Sequence, residues 1–75
     1  MDEQDFLRKV GENIKQIRKN KGLSQVDLAF LCEMEKTYLN PIEKGKINPT
    51  ALTYLKIAKA LEVDVKMFFD FDTVE

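Results

Sequence analysis

The 75 residues predict an all-α domain of five short helices, the second and third joined by a tight turn. Three observations carry this. Apolar residues recur at three- and four-residue spacing in every segment, and no segment shows the strict alternation of a half-buried strand. Cap residues stand immediately ahead of apolar runs, as with Ser24, Thr50 and Asp64. An apolar share of 44% suits one compact core, and the length allows one domain near the lower limit for folding without staples. That domain is residues 1–75, with a core from about 6 to 69 and acidic ends at 1–5 and 70–75.

Helix one opens at Asp2 or Asp5, with early acids complementing its dipole. Phe6, Leu7, Val10, Ile14 and Ile17 form its stripe, and Arg18, Lys19 and Lys21 fill its last turn before Asn20 and Gly22 offer a left-handed exit. Gly11 inside it costs about 1 kcal/mol against alanine, which close approach of a neighbouring helix would justify. Ser24 and Asp27 spell a capping box, so helix two starts at Gln25 and faces inward with Leu28, Ala29, Leu31 and Cys32. A break around Glu33 follows. Helix three runs from about Lys36, with Tyr38, Leu39 and Ile42 on one face, until Gly45 ends it.

Pro41 disturbs this third helix. It lacks the N–H that would bond to Thr37 and crowds that carbonyl, a cost of about 3 kcal/mol in a helix interior. Asn40-Pro41-Ile42-Glu43 also resembles a helix start, but too few residues remain before Gly45 for an independent helix. The expectation is one helix with a kink or tightened turn near residues 37–41. Beyond it, Thr50 caps helix four, whose core face is Leu52, Leu55, Ile57, Ala58 and Leu61. Asp64 caps a last short helix with Val65, Phe68 and Phe69. The aromatics exceed what that helix needs, so Tyr54, Phe69 and Phe71 are candidates for a homodimer contact.

Composition narrows the chemistry. Cys32 is the single cysteine and there is no histidine, which removes intramolecular disulfides, the usual nucleophile–base pairs and metal sites other than all-oxygen ones. No enzyme, cofactor or metal is expected. Unpaired Cys32 fits a reducing cytoplasm, and no apolar run is long enough for a signal peptide or a membrane span. The net charge of −1 hides a division. Residues 6–61 hold eleven basic against five acidic side chains, whereas residues 1–5 carry three acids and residues 62–75 five acids against Lys66. A basic body between acidic ends is compatible with phosphate contact. Two small helices held on a support have the form of a nucleic-acid reading head.

An ordered set of residues runs through Gly11, Ile14-Lys15-Gln16-Ile17-Arg18, Gly22-Leu23-Ser24-Gln25, Leu28-Ala29 and Tyr38-Leu39. It continues through Ile42-Glu43-Lys44-Gly45-Lys46, Asn48-Pro49, Leu55, Ile57-Ala58 and Leu61. This set resembles that of a known family, the helix-turn-helix domains of phage repressors and Cro-like regulators, which implies a lambda-repressor-like fold. The resemblance covers residues 7 to about 69, and the short chain with Thr37-Tyr38-Leu39 and an aromatic C-terminus is similar to controller proteins of restriction–modification operons.

The resemblance implies a sequence-specific transcription regulator of double-stranded DNA. Lys36, Thr37 and Asn40 would read base edges from helix three in the major groove, while Gln25, Lys44, Lys46 and Asn48 would grip phosphates. Tyr38 would contact phosphate or belong to the core. Arg18 and Glu43 match the family's partly buried ion pair, which would orient the reading helix. A twofold dimer would set two reading helices about 34 Å apart. Glu33 departs from the family's frequent turn glycine, and Glu35 from its Ser or Thr cap. Those acids, with Pro41 and the acidic ends, support the alternative of an antitoxin-like or anti-regulator protein-interaction module that keeps the fold without reading DNA.

Overall fold

The structure, a computed structural model, describes residues 1–71. It contains α1 (Glu3–Asn20), α2 (Gln25–Leu31), α3 (Lys36–Glu43), α4 (Ala51–Leu61) and a 3-10 helix over Val65–Phe69. The fifth helix is therefore 3-10 and not α. Five residues are too few to nucleate an α-helix, and the Met67 N–H closes a tighter bond on the Asp64 carbonyl at 3.0 Å.

Caps act where their residues announce them. Asp2 accepts from the Asp5 N–H at 2.7 Å and starts α1, while Thr50 accepts from the Thr53 N–H at 3.2 Å and starts α4. The capping box of α2 closes both ways: the Asp27 N–H donates to Ser24 Oγ at 3.0 Å, and the Ser24 N–H donates to Asp27 Oδ2 at 2.9 Å. Donation to the Asp27 carboxyl from the Ser24 N–H, and after it from the Ser24 hydroxyl, holds that carboxyl below its ordinary pKa.

The four α-helices end alike. A left-handed residue follows each, namely Gly22, Glu33, Gly45 and Glu62, and the next N–H reaches back five residues to an orphan carbonyl. Glycine adopts this conformation freely at Gly22 and Gly45. Glu33, at φ 57°, and Glu62, at φ 59°, carry a Cβ there at a cost of roughly 1–2 kcal/mol each.

The core gathers Val10, Ile14, Leu28, Leu39, Ile57 and Phe68, all shielded from solvent. Several expected core residues lie outside it, Phe6 and Tyr38 at 39% exposed among them. Leu31 is half exposed at the rim of the Leu28–Ala29–Cys32 face, and Leu52 is 76% exposed with Leu55 also outward. At 100° per residue the inward face of α4 is instead Tyr54, Ile57, Ala58 and Leu61, so Tyr54 is only 8% exposed. Burial pushes both its hydroxyl and the Cys32 thiol above their ordinary pKa.

The surplus aromatics are partners of one another. Phe6 stacks on Phe69 at a centroid distance of 6.1 Å and meets Phe71 edge-on at 5.6 Å, and Tyr54 meets Phe69 edge-on at 5.4 Å. Tyr54 is thus core within one chain, a correction to its place among the dimer candidates. Phe6 and Phe69 keep more than a third of their surface in solvent. Asn13 of α1 fastens this end, donating from Nδ2 to the carbonyls of Phe68 at 3.0 Å and Asp70 at 3.2 Å.

Candidate nucleic-acid interface

The outer face of α3 is positioned from behind. Its inner face presents Leu39, Ile42 and Glu43 to the core, and all three are buried. Tyr38, at the edge, is 39% exposed and not enclosed with them. Gly11 lets α1 lie directly on the last turn of α3. A Cβ there would stand 2.5 Å from the Ile42 carbonyl oxygen and collide with that of Glu43 as well. Gly45 does the same from the other side, its Cβ position falling 2.5 Å from Arg8 Cα, and its φ of +71° reverses the chain. Glycine is required at both contacts because each meets backbone, which cannot rotate away.

A polar brace fixes the remaining freedom. Arg18 and Glu43, 5% and 4% exposed, pair through Nε to Oε2 at 2.7 Å and Nη2 to Oε1 at 3.1 Å. Arg18 Nη1 also donates to the Leu23 carbonyl at 2.7 Å, so one guanidinium ties α1, the entry to α2 and the end of α3. Gln25 Nε2 donates to Glu43 Oε1 at 2.9 Å, and Asn40 Nδ2 donates to Gln25 Oε1 at 3.2 Å. Among the described residues no buried side-chain nitrogen or oxygen lacks a partner.

In front of this brace Lys36, Thr37 and Asn40 line one shallow depression on α3. Lys36 and Thr37 are exposed, and Asn40 is half-buried by its contact with Gln25. Gln25, expected to reach outward, has its amide engaged within the domain, leaving one N–H beside the free backbone donors of the α2 N-terminus. Lys44 and Lys46 are exposed just past α3. Asn48, also exposed, lines a cleft with Asp2, Glu3, Phe6 and Phe71, where two carboxylates oppose a phosphate. Glu33 and Glu35 are exposed at the near edge, and Glu35 caps α3 with its backbone alone.

Pro41 does not break the helix, which is α-helical without interruption from Lys36 to Glu43. The Thr37 carbonyl that loses its donor belongs to an exposed residue, so water can replace the bond. The Lys44 N–H still reaches the Asn40 carbonyl at 3.1 Å, and the Lys46 N–H that of Pro41 at 2.9 Å. Two contributors escape reading of the sequence, Asn13 and the inward use of Gln25. Each depends on a partner distant in the chain, and the one signal the sequence offers is a polar amide within an amphipathic helix. No group of three or more His, Cys, Asp or Glu among the described residues is arranged to hold a metal ion, and no helix there is long and apolar enough to cross a membrane.

Comparison with known proteins places this geometry. The helix-turn-helix family model matches residues 14–68. The control protein C.BamHI of Bacillus amyloliquefaciens is 42% identical over 65 residues, 85% of this chain and 80% of its own length. The crystal structure of the restriction-modification controller protein C.AhdI from Aeromonas hydrophila superposes with a TM-score of 0.82 at 36% identity, covering 84% of this chain and 96% of that one. The controller protein C.Esp1396I, solved as a tetramer with its natural 35 base-pair operator, gives a TM-score of 0.78 at 41% identity, covering 85% and 84%.

Proposed function

The chain belongs to the helix-turn-helix family, and from that premise we propose that it is a transcriptional regulator binding specific sequences of double-stranded DNA. It acts in the cytoplasm as a homodimer, without catalysis. The observation that carries this reading is the division of α3 into a braced inner face and an outer face where Lys36, Thr37 and Asn40 stand together. Lys36 donates to guanine O6 and N7, and Asn40 pairs with adenine N6 and N7. Thr37 contacts a neighbouring edge. Lys44 and Lys46 hold phosphates, and the N-terminus of α2 at Gln25 receives another. Asn48, beside Asp2 and Glu3, is the weakest member of the phosphate set. Phe69 and Phe71, with Phe6, form the dimer contact.

One observation favours a second reading. Phe30 is 80% exposed beside Val26 and Leu31, an apolar outer face on α2, and Glu35 lies nearby in sequence, as a protein-interaction module would have. Selection from random duplex DNA at two salt concentrations decides between them. A regulator returns a motif of two half-sites, and its affinity falls with a log–log salt slope of roughly −0.9 per phosphate contacted. Weak binding without a motif refutes DNA reading and favours the protein-interaction module.

A further inference from the structure

We infer that Gln25 sets the hydrogen-bonding polarity of Asn40, and through it which base Asn40 accepts; the inference rests on the DNA-binding reading above. The reasoning starts at Glu43. A carboxylate held by guanidinium N–H groups has only acceptor sites to offer, so the Gln25 atom 2.9 Å from Oε1 must be the amide nitrogen. The planar amide of Gln25 then turns its oxygen the other way, toward Asn40. Facing an oxygen at 3.2 Å, Asn40 must answer with its own nitrogen. Two amides that are each free to flip in isolation are thus oriented by one buried ion pair.

The consequence falls on the outer edge of Asn40. One hydrogen of its Nδ2 goes to Gln25. The other lies alongside Oδ1, and the two present a donor and an acceptor in a fixed order. That pair complements adenine, whose N7 accepts and whose N6 amino group donates. Without Gln25 the amide is free to turn over, both orders become available, and the acceptors of guanine or thymine compete for its N–H groups. Gln25 is therefore a positioning residue for base choice, a role separate from any phosphate contact. Loss of a phosphate contact weakens all sequences alike, whereas loss of amide polarity changes the preference at one base pair.

The test is selection on random duplexes with wild type, Asn40→Ala and Gln25→Met, each first checked for folding by circular dichroism. Asn40→Ala identifies the base pair in each half-site that Asn40 reads, where one bidentate contact gives a preference of roughly 5- to 150-fold. Gln25→Met is expected to flatten that same position and leave the other positions of the motif in place. Retention of the full preference in Gln25→Met overturns the inference while the functional reading stands, as does an Asn40→Ala profile unchanged at every position. If wild type returns no motif, the functional reading fails and the base-choice inference fails with it. The amide relay is then judged alone, by NMR of the Asn40 side-chain NH₂ group: hydrogen exchange equally fast in wild type and Gln25→Met rejects the relay, and slower exchange in wild type upholds it.

Discussion

Arg18→Met is the sharpest probe of the brace behind α3. It keeps an unbranched side chain of similar length while removing all three donations of the guanidinium, two to Glu43 and one to the Leu23 carbonyl. Glu43, 4% exposed, is left with Gln25 as its single partner. Removing one member of a buried pair costs about 3–5 kcal/mol, because the other charge stays desolvated. A domain of this size has a total stability of roughly 4–11 kcal/mol, so the variant approaches the limit of folding. At about 4–8 °C per kcal/mol for a small domain, the melting temperature falls by roughly 12–40 °C. Urea denaturation followed by circular dichroism measures the loss. Arg18→Met/Glu43→Leu, which removes both charges, is expected to recover most of it, since the cost lies in the stranded charge and less in the missing attraction. A single variant within about 1 kcal/mol of wild type, or a double variant as unstable as the single one, would refute the reasoning.

Other outcomes follow from neighbouring features. Gly11→Ala gains helix propensity of about 1 kcal/mol, but its methyl meets the Ile42 and Glu43 carbonyls at a cost of roughly 1–3 kcal/mol, so a net loss of up to about 2 kcal/mol is expected; a higher urea midpoint would contradict this. Pro41→Ser restores the N–H to the Thr37 carbonyl and is expected to raise both stability, by up to about 2–3 kcal/mol, and DNA affinity. Thermal melts and titration with the selected operator check it, and unchanged values in both would remove the case that Pro41 harms α3. Asp27 has a folded pKa below its unfolded one, so its stabilisation is present above the unfolded carboxyl pKa of about 3.9 and is lost as pH falls through the folded value. Asp27→Asn should therefore show a shallower acid loss of stability below about pH 4 in urea midpoints measured across pH.

What could be read from the sequence was local. Ser24 and Asp27 are three residues apart, and the pair they form needs nothing else, so the start of α2 was fixed by chemistry alone. Glycine after a helix announces the left-handed turns at 22 and 45. The identical turns at Glu33 and Glu62 carry no such letter, and Glu33 was anticipated only through the family pattern. The inward face of α4 was misjudged because residue type outweighed phase: Leu52 and Leu55 are apolar, but the helical angle selects Tyr54 with Ile57, Ala58 and Leu61. Pro41 was legible in part: one helix three was expected to run through it, and burial of Leu39, Ile42 and Glu43 around it keeps that helix continuous. Long-range partners such as Asn13 with Phe68 were beyond reach, since nothing in an isolated asparagine says which of two helix ends it will join.

That asparagine has a wider consequence. Asn13 grips the carbonyls of Phe68 and Asp70, and two residues earlier on the same helix Gly11 bears on the last turn of α3. A single rigid rod therefore touches the aromatic end with one turn and the reading helix with nearly the same turn. Under the proposed dimer at Phe6 and Phe69, a shift imposed on α1 there would reach the last turn of α3 through the Gly11 contact. Pairing and operator occupancy would then be energetically reciprocal: the factor by which pairing tightened the grip on DNA would be the factor by which DNA tightened the pair.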